Sequence, residues 1–119
     1  MTIIGAGITV HEALKAADTL ADEGVAARVI DLYSIKPLDL ETLTEAADAT
    51  GGRLVTVEDH SAEGGLGDAV LAALADRDEP MRVIKLAVRD MPRSGKPAEL
   101  MQRHGIDAAA IVAAVERLV

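Results

Sequence analysis

The chain has 119 residues, half of them hydrophobic, and 12 basic against 20 acidic side chains give it a net charge of -8. That length supports a single domain over residues 1–119 and no second core, while the acidic balance works against nucleic acid and anionic membranes as partners. The lack of cysteine removes disulfides, thiolate metal sites and thiol nucleophiles; no apolar run approaches bilayer length and Met1-Thr2-Ile3-Ile4 has no signal-peptide character, so the expected location is the cytoplasm.

Strands are expected at residues 2–6, 27–32, 53–58 and 82–88, each a short run rich in Val, Ile and Leu, as strands buried on both faces should be. Tyr33 is the one aromatic residue, so the core must be built from Ala, Val, Leu and Ile. A first helix over 10–23 follows the first strand, with Val10, Ala13, Leu14, Ala17, Leu20 and Ala21 as its inner face. Thr9 and Glu12 have capping-box spacing before it and Gly24 supplies its stop. A second helix at 40–49 takes Asp39 as N-cap, turns Leu40, Leu43 and Ala47 inward, and ends at Gly51-Gly52.

The third strand delivers Glu58-Asp59-His60-Ser61 to the glycine-rich run Glu63-Gly64-Gly65-Leu66-Gly67, which opens a helix over 66–75. After the last strand, Pro97 suits the first turn of a short helix that Gly105 terminates. Asp107 then caps a final helix, with Ile106 and Ile111 as a hydrophobic staple and Val115 and Leu118 continuing the stripe. Strands separated by helices require parallel pairing and right-handed crossovers. The expected fold is a three-layer α/β/α doubly wound domain with four parallel strands in the order 2-1-3-4, which sets the Gly5-Ala6-Gly7 turn beside the loop after the third strand at the topological switch point.

Several chemistries fit parts of this pattern. Gly5, Gly7 and Asp31 resemble a dinucleotide fingerprint, but Val10 stands where that motif needs a small residue. His11, His60 and His104 lack the spacing of paired metal ligands on a helix, and Ser61 beside His60 lacks the nucleophile elbow. Arg93 and Lys96 flank the Ser94-Gly95 turn, which suits a phosphate or an acidic surface, although Ser-Gly-Lys-Pro is no P-loop. The candidate interface or anion-contact residues are therefore Glu58, Asp59, His60, Glu63, Gly64, Gly65, Arg93, Ser94 and Lys96.

Five collinear segments, Gly5 to Leu14, Ile35 to Asp39, Thr56 to His60, Glu63 to Gly67 and Pro92 to Leu100, resemble the carboxy-terminal domain of transketolases. The Glu-Gly-Gly-Leu-Gly part alone is also similar to deoxyxylulose-phosphate synthases and 2-oxoacid dehydrogenase β subunits. The resemblance implies a parent enzyme that moves two-carbon ketol units between sugar phosphates, as in the pentose phosphate pathway. It uses thiamine diphosphate and a divalent metal bound between two other domains of a homodimer.

No counterpart of the Gly-Asp-Gly cofactor motif or of the glutamate that activates the thiazolium ring is found, so no catalytic or cofactor-binding residue carries over. The chain alone is expected to be inactive and to bind none of these cofactors, its partners being the two thiamine diphosphate-binding domains or subunits. The family's antiparallel edge strand would precede Thr2 and is missing, which makes Met1 look like an introduced start or that of a separate subunit. Two other readings stand beside this one: a free-standing nucleotide- or phosphate-binding module, and a docking domain of a 2-oxoacid dehydrogenase-like complex.

Overall fold

A computed structural model describes residues 1–32, 40–61, 65–88, 101–102 and 105–119. Four strands, β1 (Thr2–Gly5), β2 (Arg28–Asp31), β3 (Arg53–Ser61) and β4 (Arg82–Val88), form one sheet in the order β2-β1-β3-β4. Every pairing is parallel. The described helices are α1 (Ile8–Asp22), α2 (Leu40–Ala49), α3 (Leu66–Ala73) and α4 (Ala108–Leu118). None of them is long and apolar enough to cross a membrane.

Strand alternation divides the interior in two. Ile3, Val55 and Val57 point to one face, where they meet Ala13, Ala16 and Leu20 of α1 and Ile111, Ala114, Val115 and Leu118 of α4. Ile4 and Leu54 point to the other, against Leu43, Ala46 and Ala47 of α2 and Val70 of α3. Each Val, Leu or Ile among them contributes about 1.5–3 kcal/mol by leaving water, and each alanine less. The central strands β1 and β3 are covered on both faces as expected, whereas β2 lies at the sheet edge and leaves Arg28 exposed.

Several termini follow the sequence signals. Asp107 accepts a hydrogen bond from Ala110 N at 3.0 Å, a cap of about 1 kcal/mol, and the staple residues Ile106 and Ile111 are both buried. Gly105 has φ +68, and Ile106 N reaches back to Met101 O at 2.9 Å. Gly51 and Gly52 carry the chain out of α2 at φ +64 and +78, with Gly52 N donating to Ala47 O at 2.8 Å. Asp39 and Pro97 lie outside the described residues.

The first helix departs from its expected frame. It begins at Ile8 because Gly7, at φ +60, turns the chain two residues earlier than the periodicity suggests. Thr9 is thus inside the helix and does not cap it, and the Glu12 carboxylate turns away to accept Ala108 N of α4 at 3.2 Å. The buried residues of α1 are Thr9, Glu12, Ala13, Ala16 and Leu20, so Leu14 and Ala21 of the expected inner face point outward. Leu40 is likewise exposed at the start of α2. Two end points also shift: α3 stops at Ala73, and β3 continues past Glu58 to Ser61, which pairs with Val88 after a register shift.

Candidate functional site

The strand order reverses between β1 and β3, so their carboxyl ends meet at the position where open α/β sheets bind ligands and partners. Here the seam is closed by the protein itself. The Thr9 hydroxyl accepts Ala6 N at 3.0 Å, and its single proton is shared between Ala6 O and Val57 O at 2.8 and 2.9 Å. Thr9 is fully buried, and a Cβ on Gly5 would approach its oxygen to 3.1 Å. Small backbone at Gly5 therefore lets α1 sit down on the end of β1, with Thr9 stitching that turn to β3.

The second feature is Glu58. It shares its strand face with Leu54 and Thr56, and its side chain is 1% exposed. The carboxylate accepts Leu66 N at 2.9 Å through Oε1 and Gly67 N at 2.7 Å through Oε2. These are the first two amides of α3, which has Gly65 at its N-cap and no side-chain cap of its own. A negative charge at a helix start is favoured by both the free N–H groups and the helix dipole. Glu58 supplies that charge from eight and nine residues earlier in the chain.

Gly67 makes this approach possible. A Cβ there would lie 2.8 Å from Lys85 Cε, 2.9 Å from Thr56 Oγ1 and 3.1 Å from Glu58 Oε2. The Lys85 ammonium pairs with Asp68 at the helix start, so α3 is pinned to β3 by a carboxylate and to β4 by an ion pair. The pair is part-exposed and is worth less than the Glu58 bonds, since solvent screens it.

Of the candidate residues, the structure brings Glu58 and Gly65 together at the start of α3, with Glu58 turned inward onto the Leu66 and Gly67 amides. Asp59 is exposed at the end of β3, and His60 continues that strand. Glu63, Gly64, Arg93, Ser94 and Lys96 lie outside the described residues. Among the described residues no group of three or more His, Asp or Glu side chains is placed to hold a metal ion. Thr9, Glu12, Lys85 and Asp68 were not singled out as site residues by sequence. Strand parity was the available signal for Glu58, because every second residue from Leu54 faces the same way.

The geometry has relatives. The family model for the transketolase C-terminal domain matches residues 1–111. Transketolase-like protein 2 of Mus musculus is 54% identical over 116 residues, which cover 98% of this chain and 18% of that protein. Transketolase of Mus musculus is 53% identical over 120 residues, covering 100% and 19%. The chain thus spans about a fifth of the length of the curated relatives it matches. Among solved structures, a split-gene transketolase described as an inactive beta4 tetramer superposes with a TM-score of 0.88 at 44% identity, over 98% of this chain and 38% of that one. The transketolase of Campylobacter jejuni gives 0.65 at 20% identity over 98% of this chain and 16% of its own, a likeness of fold alone.

Proposed function

Because this chain belongs to the transketolase C-terminal domain family, we propose that it is the non-catalytic structural and interface domain of a transketolase-type enzyme. In this reading the parent enzyme transfers two-carbon ketol units between sugar phosphates in the cytoplasm. Thiamine diphosphate and a divalent metal are held by its two other domains or subunits, and the full assembly is a homodimer. This chain supplies a rigid packing surface and no reacting group.

The observation that carries the proposal is the fate of Glu58. An acidic residue at the carboxyl end of a central strand occupies the ordinary place for an acid, a base or a metal ligand. In this fold both of its oxygens are bound to the chain's own backbone, and the side chain is buried. The same bonds disfavour the reading as a phosphate-binding module, since the Leu66 and Gly67 amides that an anion would use at α3 are already engaged.

Titration calorimetry of the purified chain tests this directly. Thiamine diphosphate with a divalent cation is expected to give no saturable heat. Micromolar binding would overturn the assignment of the cofactor to other domains, and micromolar binding of a nucleotide or sugar phosphate would favour the free-standing module.

A further inference from the structure

Helix α1 carries more apolar surface than its own fold uses. Thr9, Glu12, Ala13, Ala16 and Leu20 face the interior. Beside and behind them runs a second line, Val10, Leu14, Ala17 and Ala21, at steps of four, three and four residues, which is the spacing of a single ridge on a helix. Leu14, in the middle of the line, is 50% exposed. Val10 and Ala17 are half-buried, and Ala21 is exposed. The periodicity that assigned these residues to the interior was a true amphipathic signal, but the domain covers only part of it.

Resting on the function proposed above, we propose that the Val10, Leu14, Ala17 and Ala21 ridge is the seat for an apolar helix from the remaining part of the transketolase. The relatives are about five times longer than this chain, so a C-terminal domain of this family has a large neighbour to pack against. The ridge has the form such packing needs: a leucine knob with a valine before it and two alanines after it, small enough to admit a helix at an interaxial distance of about 8–10 Å.

Charge selects this occupant over a second copy of the chain. Each copy carries a net charge of -8, and Asp18 is exposed one turn from Leu14, so a symmetric contact would set like charges together. The fitting partner is an apolar helix bordered by Lys or Arg.

The test measures binding of this chain, as wild type, Leu14→Lys and Ala21→Gln, to the thiamine diphosphate-binding domains of the parent enzyme produced without a C-terminal domain of their own. Leu40→Lys, exposed on a different helix, serves as control. Leu14→Lys is expected to weaken binding at least tenfold with an unchanged melting temperature, and Ala21→Gln severalfold by blocking close approach, while Leu40→Lys binds as wild type does. Wild-type binding with no loss in either ridge variant would overturn the seat and leave the proposed function standing. No binding by wild type would overturn both. Self-association of the wild type that Leu14→Lys abolishes would place a second copy on the ridge and overturn the choice of occupant.

Discussion

Gly52→Ala is expected to destabilise the domain by about 4 kcal/mol, at the upper end of single substitutions, while Gly51→Ala next to it costs only about 1 kcal/mol. Both residues have positive φ, at +78 and +64, so each alanine would bear a similar conformational penalty. The difference lies in what the new methyl group meets. At Gly51 the nearest atom is the flexible end of Arg53 at 3.7 Å, whereas at Gly52 the methyl carbon would sit 2.3 Å from Pro80 O and 3.1 Å from Met81 Cα. Those are backbone atoms held in place, because Arg82 N donates to Gly52 O at 2.8 Å where β4 begins. Relieving the clash means separating the end of α2 from the start of β4. Chemical denaturation of both variants checks this, and equal losses at the two positions would refute the close backbone contact.

Glu58→Ala is expected to cost about 3 kcal/mol, because it strands two helix-start amides in a buried place and removes charge-assisted bonds of about 1.5–3 kcal/mol. In a chain of this size that lowers the melting temperature by roughly 10 °C. Glu58→Gln keeps the shape but turns one acceptor into a donor facing an N–H, so a loss of about 1–2 kcal/mol is expected. Hydrogen exchange localises the effect: the Leu66 and Gly67 amides should lose protection in both variants before the β1 and β3 amides do. A Glu58→Ala protein as stable as wild type would show that the carboxylate is not committed to the helix, and the main support for a chemically silent domain would go with it.

These two sites also mark the boundary of what was readable in the sequence. The strands follow from β-branched runs punctuated by glycines, local signals that the fold obeys, and their parallel pairing in the order 2-1-3-4 follows from the alternation of strand and helix and the doubly wound solution to it. Asp107 and the Ile106 and Ile111 staple are equally local, all within five residues. What the sequence did not disclose depends on contacts between distant segments. Thr9 and Glu12 have capping-box spacing, but one Glu12 oxygen pairs with Lys15 within the helix and the other accepts Ala108 N, 96 residues away, a contact that no spacing rule reaches. Glu58 looked like a presented acid because hydropathy treats a charge as exposed, whereas its strand parity directs it inward and the α3 amides offset the burial. Apolar periodicity marked Leu14 and Ala21 as interior because it reports an amphipathic arc without saying who covers it.

The remaining site residues divide by position. Gly65 and Glu58 meet at one helix start, and Asp59 and His60 extend β3 beyond the length that the apolar run alone suggested. The longer strand arises because Ser61 recovers pairing with Val88 after the register shift. A run of acids and a histidine reads as a loop on propensity, and tertiary pairing overrides that preference here.

In the proposed function this chain contributes structure to a transketolase whose chemistry resides in other domains. A direct test mixes the purified chain with the parent enzyme's thiamine diphosphate-binding domains, produced without a C-terminal domain of their own, adds thiamine diphosphate and a divalent cation, and follows ketol transfer from a ketose phosphate to an aldose phosphate. Turnover is expected in the mixture and none from this chain alone. Turnover by this chain alone would place chemistry in it, and equal turnover by the thiamine diphosphate-binding domains with and without it would show that it contributes nothing to the assembly; either result would overturn the proposed function.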